Sequence, residues 1–310
     1  ESQDQWTQEK GRLIRLDNLR EKKMQGIKSR YVNVDGIRTH YLEGGEGPTV
    51  VFMHSGEFGG ASELSWEFNL PAFAKHFRVV APDGVGFGRT DKVFDFGGGR
   101  DRFFKHLIKF FEIMDIQEAD FVGNSMGGSN LARIAADPPM IFPIRSLVLA
   151  SGGGFAPATE ARQQLLDYDG SPKAMRALLD GLFYNKKKWV DNPAYIRKRQ
   201  KIATLPGAWE CTAAPRFKRP TIKKVAGQFG NPDATTYEKI AVPTLIIAGK
   251  YDRLREKGYA PKLAKRIKGS KVSVYDKAAH CPHIEHSARF NREAIAFLKG
   301  VHKKLGVKRR

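Results

Sequence analysis

The sequence predicts an α/β fold: a mostly parallel sheet with helices on both faces and an inserted helical segment. Short runs of apolar and β-branched residues recur between longer amphipathic stretches, the alternation typical of parallel α/β proteins. These runs are continuously apolar, as expected of strands buried on both faces. One stretch of about eighty residues lacks a clear strand but contains helical pieces, which indicates the insertion.

The composition describes an ordinary globular protein of 310 residues, with 41% hydrophobic residues and only two cysteines. Collagen-like, disulfide-scaffolded and largely disordered proteins are therefore excluded. Cys211 and Cys281 stand seventy residues apart with no C-x-x-C partner, so neither a zinc site nor a redox pair is predicted, and a cytoplasmic location is expected. No run of about eighteen apolar residues occurs, so no membrane-spanning helix is predicted.

The charge is strongly basic, because 53 Lys and Arg against 33 Asp and Glu give +20. Six of the last twelve residues, Lys299 to Arg310, are basic. Such a run is usually a solvated tail, and no nucleic-acid-binding motif accompanies it, so no specific nucleic-acid partner is predicted. Polyanion binding stays as an alternative that a salt titration would test. A homo-oligomer is also left open.

The chain divides into an appended helical segment, a core and an insertion. Residues 1–30 are polar with scattered apolar anchors and predict an N-terminal helical extension. Residues 31–154 and 235–310 form the predicted core, and residues 155–234, with fifteen basic and seven acidic side chains, form a predicted helical lid. A helix is predicted over 101–114. The predicted strands are Thr49–Met53, Arg78–Ala81, Asp120–Gly123, Arg145–Ala150, Thr244–Ala248 and Lys271–Tyr275.

The most informative motif is a G-x-S-x-G sequence, Gly123 to Gly127, which follows a predicted strand and precedes a predicted helix over 129–136. In that context the serine occupies a tight strand-to-helix turn that exposes its hydroxyl at the end of the sheet. Ser125 is therefore the candidate nucleophile. The plain alternative is a turn whose serine caps the helix.

A serine nucleophile requires a histidine base and an orienting carboxylate, here expected in the order Ser, acid, His. Asp252 follows one predicted strand and His280 follows the next. Both would emerge at the carboxyl ends of parallel strands, beside Ser125. His283 is a rival base, but His280 is preferred because it directly follows the small pair at 278–279.

An acyl-transfer site also needs donors for the developing oxyanion, usually backbone N–H groups. The Met126 N–H, next after the nucleophile, is the first candidate. The second is expected from the Gly-rich loop after the strand Thr49–Met53, at Ser55 or Gly56. No metal and no cofactor are implied by this set of residues.

Several motifs together resemble the α/β-hydrolases and, within them, the carbon–carbon bond hydrolases that cleave ring-fission products of aromatic compounds. The G-N-S-M-G-G element and the run from His280 through Pro282, Glu285 and Asn291 favour this branch over general esterases. The other matching segments are the His54 loop, residues 82–91 and residues 249–253.

The resemblance implies a small, anionic substrate, a vinylogous diketone with a carboxylate, which is ketonised before Ser125 and His280 assist hydrolysis of a C–C bond. It also implies substrate contacts for Asn124 and for a lid arginine, Arg199 or its rival Arg197, since a guanidinium suits a planar carboxylate. Two positions depart from the family pattern: Ser55 replaces a glycine and Cys281 replaces a tryptophan that many members carry.

Two other functions compete with this prediction. Hydrolysis of small carboxylesters requires the same nucleophile and oxyanion donors. A non-catalytic ligand-binding protein could retain the fold, since fold does not determine function, but an incomplete triad would be its signature and all three members are present.

Overall fold

The computed structural model describes residues 24–96, 100–216 and 229–307. Within them, one eight-stranded sheet has the order β1-β2-β4-β3-β5-β6-β7-β8. Strands β3 to β8 are parallel, whereas β2 runs antiparallel to both β1 and β4. The predicted α/β fold is therefore confirmed.

The strands, in chain order, are β1 Ile27–Val34, β2 Ile37–Gly44, β3 Thr49–Met53, β4 Arg78–Pro82, β5 Ala119–Asn124, β6 Ile144–Ala150, β7 Thr244–Gly249 and β8 Lys271–Tyr275. The α-helices of the described residues are α1 Ser62–Ser65, α2 Leu70–Phe73, α3 Arg100–Ile113, α4 Met126–Ala135, α5 Glu160–Leu166, α6 Pro172–Leu182, α7 Pro193–Ala203, α8 Ala208–Ala213, α9 Tyr259–Arg266, α10 Pro282–Glu285 and α11 Ser287–Leu305. A π-helical turn, Lys186–Val190, and two 3-10 turns, Ala214–Arg216 and Tyr237–Lys239, complete the set.

All six predicted strands occur as β3 to β8, each within one residue at either end. The predicted burial on both faces holds for β5, β6 and β7, whose residues are all buried. It is wrong for β8, where Val272 and Val274 are 44% and 41% exposed. This strand is the edge of the sheet, so one of its faces lacks a covering layer.

The β1–β2 hairpin corrects the predicted N-terminal boundary. Residues 27–30 were expected in a helical extension, but they form the first half of β1, paired with Leu42 and its neighbours on β2. An edge strand with mostly exposed side chains has no apolar run, so its sequence does not differ from that of a polar helix. Residues 1–23 of that predicted extension lie outside the described residues.

Two apolar layers cover the faces of the sheet. On one face, Leu107 of α3, Leu131 of α4 and Leu263 of α9 are buried in a single cluster with strand residues. On the other face, Phe73 of α2 and Phe290 of α11 are fully buried in a second cluster. Each such side chain contributes roughly 1.5–3 kcal/mol of hydrophobic free energy, so these two layers hold the sheet and its loops in place.

Helices α5 to α8 lie between β6 and β7, inside the predicted lid of residues 155–234. Their apolar residues form a third cluster that includes Phe58 from the loop after β3, Leu254 from the loop after β7 and Cys281 beside α10. The helical segment therefore packs over loops at the carboxyl end of the sheet. We propose residues 155–234 as the lid, hereafter the insert. In the described part of the chain, no helix has the length and apolar character needed to cross a bilayer.

Candidate active site

Ser125 lies in a sharp turn between β5 and α4, as the G-x-S-x-G motif predicts. Its backbone dihedrals are φ 51° and ψ −111°, a conformation that non-glycine residues rarely adopt. A Cβ on Gly123 would lie 2.6 Å from the Gly128 nitrogen, and one on Gly127 would collide with the Met53 carbonyl oxygen. The flanking glycines are therefore required for this turn, which directs the hydroxyl away from the sheet.

The structure brings the two other predicted triad residues to Ser125. His280 Nε2 lies 2.7 Å from Ser125 Oγ, and His280 Nδ1 lies 2.8 Å from Asp252 Oδ2. Because the ionised Asp252 carboxylate can only accept, Nδ1 carries the proton and Nε2 is the acceptor facing the hydroxyl. The three residues thus form a continuous path for removal of the Ser125 proton.

Asp252 is held ionised by its surroundings. Burial alone would raise the pKa of this carboxyl, but the adjacent His280, the Arg255 guanidinium and the Leu254 N–H together hold the pKa below its ordinary value. The Leu254 N–H donates to Oδ1 over 2.9 Å, which leaves Oδ2 for His280. A fixed anion at this position stabilises the imidazolium that forms when His280 takes a proton.

His283, the rival base, does not lie in this path. Its ring packs against Trp66 with centroids 4.7 Å apart, and neither ring nitrogen has a hydrogen-bond partner among the described residues. Burial, followed by electrostatic repulsion from the His280 ring, lowers the pKa of His283 to about 3. The neutral ring is a core residue, so the geometry favours His280.

Glu285 connects the His280 loop to the insert. Its carboxylate accepts hydrogen bonds from the N–H groups of Ala279 at 2.7 Å, Tyr184 at 2.9 Å and Asn185 at 3.0 Å. The His280 N–H donates to the Leu182 carbonyl at the end of α6. The position of the imidazole therefore depends on contacts with the insert as well as with the sheet.

Two of the predicted oxyanion donors, Met126 and Gly56, border the same cavity as Ser125. Met126 is the first residue of α4, and Gly56 lies against the Met126 side chain, so a Cβ on Gly56 would meet its sulfur. The loop that carries Gly56 is fixed by His54, whose Nε2 accepts the Gly84 N–H at 2.9 Å and whose Nδ1 donates to the Ser55 carbonyl at 2.7 Å. The role of these donors stays a prediction.

Two predicted substrate contacts, Asn124 and Arg199, do not border the cavity, whereas the backbone N–H of Ser55 stays a predicted oxyanion donor. The Ser55 side chain is buried, and its hydroxyl lies 3.3 Å from Ser65 Oγ. Asn124 is 1% exposed and donates to the carbonyls of Ala150 and His280, so it supports the histidine loop and does not line the cavity. Arg199 is likewise absent from the cavity wall: it is 1% exposed and forms an ion pair with Glu57.

Arg199 does not line the cavity because it has an acidic partner inside the protein. Glu57, in the loop after β3, was not recognised as a site residue, yet its carboxylate satisfies the charge of Arg199 inside the protein. This ion pair offsets the cost of burying the Arg199 charge, because a buried charge with neither a counter-ion nor hydrogen-bond partners is costly. The rival, Arg197, is exposed on the same helix.

A cavity of about 400 Å³ opens above Ser125, and Ser125, Met126, Gly56 and His280 all line it. That volume suits a small molecule. Its wall combines apolar side chains with several charged ones; the apolar members include Val85, Phe87, Val93, Phe103, Leu165 and Leu182, and the charged members are Glu57, Asp95, Arg102, Arg133, Arg162 and Arg255. Sequence reasoning noted the basic character of the insert but did not single out Arg162 or Arg255.

Comparisons with known proteins agree with this geometry. A family model described as "Alpha/beta hydrolase family" matches residues 50–293. The chain is 30% identical over 288 residues to the 2-hydroxy-6-oxo-6-(2'-aminophenyl)hexa-2,4-dienoic acid hydrolase of Metapseudomonas resinovorans, covering 92% of this chain and 96% of that one. It is 31% identical over 264 residues to the 2-hydroxymuconate semialdehyde hydrolase of Pseudomonas sp. strain CF600, covering 84% and 90%. The solved meta-cleavage product hydrolase of Pseudomonas fluorescens IP01 superposes with a TM-score of 0.77 at 27% identity, over 87% of this chain and 97% of that one.

Proposed function

Because the chain belongs to the alpha/beta hydrolase family and is a hydrolase, we propose that it hydrolyses a carbon–carbon bond in a carboxylate-bearing dienoate ketone. The observation that carries the hydrolytic chemistry is the hydrogen-bonded path from Ser125 through His280 to Asp252. The choice of bond and substrate class is supported by near-full-length similarity to relatives named as hydrolases of a hexadienoic acid and a muconate semialdehyde.

In the first step Ser125 Oγ attacks the ketone carbon while its proton moves to His280 Nε2. The 2.7 Å contact between these atoms allows that transfer without rearrangement of the ring. Asp252, 2.8 Å from Nδ1, stabilises the resulting imidazolium. The new C–O bond converts the ketone oxygen to an oxyanion, for which the N–H groups of Met126 and Gly56 are the proposed donors.

In the second step the C–C bond breaks and its electrons pass to the dienoate fragment. This fragment can leave when the substrate has first become the keto tautomer, since the electrons then delocalise onto a conjugated carbonyl. His280 returns the proton to the carbon of the fragment at which the C–C bond broke. Water then hydrolyses the remaining acyl ester on Ser125, with His280 again as base, so the net reaction consumes one water and yields two products.

Serine and histidine variants test this proposal. Ser125→Ala and His280→Ala should each lower kcat by at least about 10³-fold, because each removes one member of a unit that acts together. His286→Gln is the matched histidine control, since the His286 ring is not part of the triad: its Nε2 donates to the Lys277 carbonyl at 3.1 Å, and the ring packs against Tyr275. Near-wild-type turnover by Ser125→Ala would overturn the nucleophile assignment.

Ester hydrolysis is the alternative that requires the same groups. A panel of dienoate ketones and short aryl esters, measured with the same enzyme, separates the two. We expect the dienoate ketones to have the higher kcat/KM. Turnover of the esters alone would remove the C–C assignment and leave a serine esterase.

A further inference from the structure

Two buried arginines form part of the cavity wall above Ser125. Arg162 belongs to α5 of the insert and Arg255 to the loop after β7, and they are 9% and 7% exposed. Arg255 Nη2 contacts Ser129 Oγ at 3.1 Å, and the Ser129 N–H donates to the Ser125 carbonyl. Its guanidinium is therefore attached to the helical turn that begins at the proposed nucleophile.

Neither guanidinium has a carboxylate partner within 4.0 Å among the described residues. Arg162 donates to the carbonyls of Pro157 at 3.1 Å and Leu254, and Arg255 donates to the carbonyls of Ser151 at 2.8 Å and Gly154 at 3.1 Å. The internal stretches outside the description, residues 97–99 and 217–228, contain no Asp or Glu. Among residues 24–96, 100–216 and 229–307, the two positive charges are thus solvated by neutral groups.

Donor capacity remains on both side chains. A guanidinium has five N–H bonds. The contacts within the described residues use two of them on Arg162, through Nε and Nη2, and four on Arg255, so Arg162 retains three free N–H bonds and Arg255 one. One face of the Arg162 guanidinium lies over the Phe229 ring, 4.2 Å from its centroid, which orients the plane of the guanidinium.

The local charge balance favours an anion. Burial, followed by repulsion from Arg255, lowers the pKa of Arg162 to about 10, so the side chain is still cationic at neutral pH. Asp252 interacts electrostatically with both arginines, but its two carboxylate oxygens accept hydrogen bonds from His280 and from the Leu254 N–H. Arg199, in contrast, is already neutralised by Glu57.

We propose that Arg162 and Arg255 together receive the carboxylate of the substrate and act as the specificity-determining residues of this cavity. The inference rests on the proposed function for the identity of the anionic group. Arg162 belongs to the insert and Arg255 to the core, so a carboxylate bound by both would connect the insert to the core through hydrogen bonds. Arg199 then has a structural role through Glu57.

Two ligands that are matched in shape but differ in charge test the assignment. The dienoate ketone and its primary amide are compared as substrates of the wild type, Arg162→Gln and the control Arg197→Gln, which changes an exposed arginine of the insert. A charge-assisted hydrogen bond corresponds to roughly a 10- to 100-fold effect. We therefore expect Arg162→Gln to lower kcat/KM for the acid by that factor, mainly through KM, and for the amide by less than about threefold.

A second measurement is independent of C–C cleavage. Here the inhibition constants of 2,4-hexadienoate and its amide are measured against hydrolysis of p-nitrophenyl acetate. The acid should bind more tightly than the amide to the wild type and to Arg197→Gln, whereas Arg162→Gln should show no such preference. Arg162→Lys, which keeps the charge without the forked geometry, should show an intermediate preference and controls for loss of folding.

The two proposals fail in different ways. Equal losses for acid and amide, or an acid preference that survives Arg162→Gln, overturn the carboxylate assignment. Absence of C–C cleavage together with charge-selective inhibition of ester hydrolysis overturns the proposed reaction and leaves the anion site standing.

Discussion

Replacing Glu57 by Gln should destabilise the protein because it leaves the Arg199 guanidinium buried without a counter-charge. Glu57 and Arg199 are 9% and 1% exposed, and Arg199 Nη2 donates a hydrogen bond to Glu57 Oε1 within this ion pair. Burial alone would raise the pKa of Glu57, but the charge of Arg199 holds it below its ordinary value of 4.5. Glutamine keeps the shape and removes only the charge, so the substitution isolates the ion pair.

The magnitude follows from the burial of both partners. Removing one member of a buried ion pair costs roughly 3–5 kcal/mol of unfolding free energy. Because Glu57 also borders the cavity, where water can reach the exposed charge, we expect about 3 kcal/mol. The double variant Glu57→Gln, Arg199→Met removes the uncompensated charge and should recover most of that loss, since apolar replacements of buried pairs are often neutral.

Equilibrium urea unfolding at pH 7, followed by tryptophan fluorescence, measures both variants. Glu256→Gln is the control, because Glu256 pairs with Lys262 at the surface and its loss should leave the midpoint unchanged. A cost below about 1 kcal/mol for Glu57→Gln, or a double variant as unstable as the single one, would refute the argument that this pair is retained to balance a buried charge.

Two further predictions concern carboxylates. Asp252→Asn should lower kcat for an aryl ester by roughly 10³–10⁴-fold with an unchanged circular dichroism spectrum, because the amide favours the wrong His280 tautomer; a rate within tenfold of the wild type would contradict this role. Burial alone would raise the pKa of Asp120, but hydrogen bonds from His302 and Arg145, both 2.6 Å away, lower it. The ionised Asp120 therefore stabilises the folded protein above pH 3.8, the ordinary pKa of the group, and this stabilisation is lost as the pH falls through the lower pKa of the folded state. Urea unfolding between pH 3 and 7 should show that the free energy of unfolding falls more steeply with acid for the wild type than for Asp120→Asn. Equal slopes for the two proteins would contradict this prediction.

The elements that sequence reasoning predicted best are those in which one local signal suffices. Strand β3 was predicted residue for residue, since four consecutive buried apolar residues bounded by turns permit few alternatives. The turn at Ser125 was predicted because only glycine fits beside it at positions 123 and 127. The β1–β2 hairpin was missed, because an exposed edge strand with polar side chains has no comparable signal.

The amino-acid sequence by itself determined the family, the positions of strands β3 to β8 along the chain and the identity of the three residues that meet at the carboxyl end of the sheet. Only the tertiary structure decided which arginine faces the cavity. Arg199 and Arg162 are equivalent in a linear pattern, yet Arg199 is neutralised by Glu57, 142 positions away. Arg162 instead donates to two carbonyl groups, and its other N–H bonds have no acceptor among the residues that the structure describes. The charge available to a ligand depends on such distant partners, and local residue patterns do not record them.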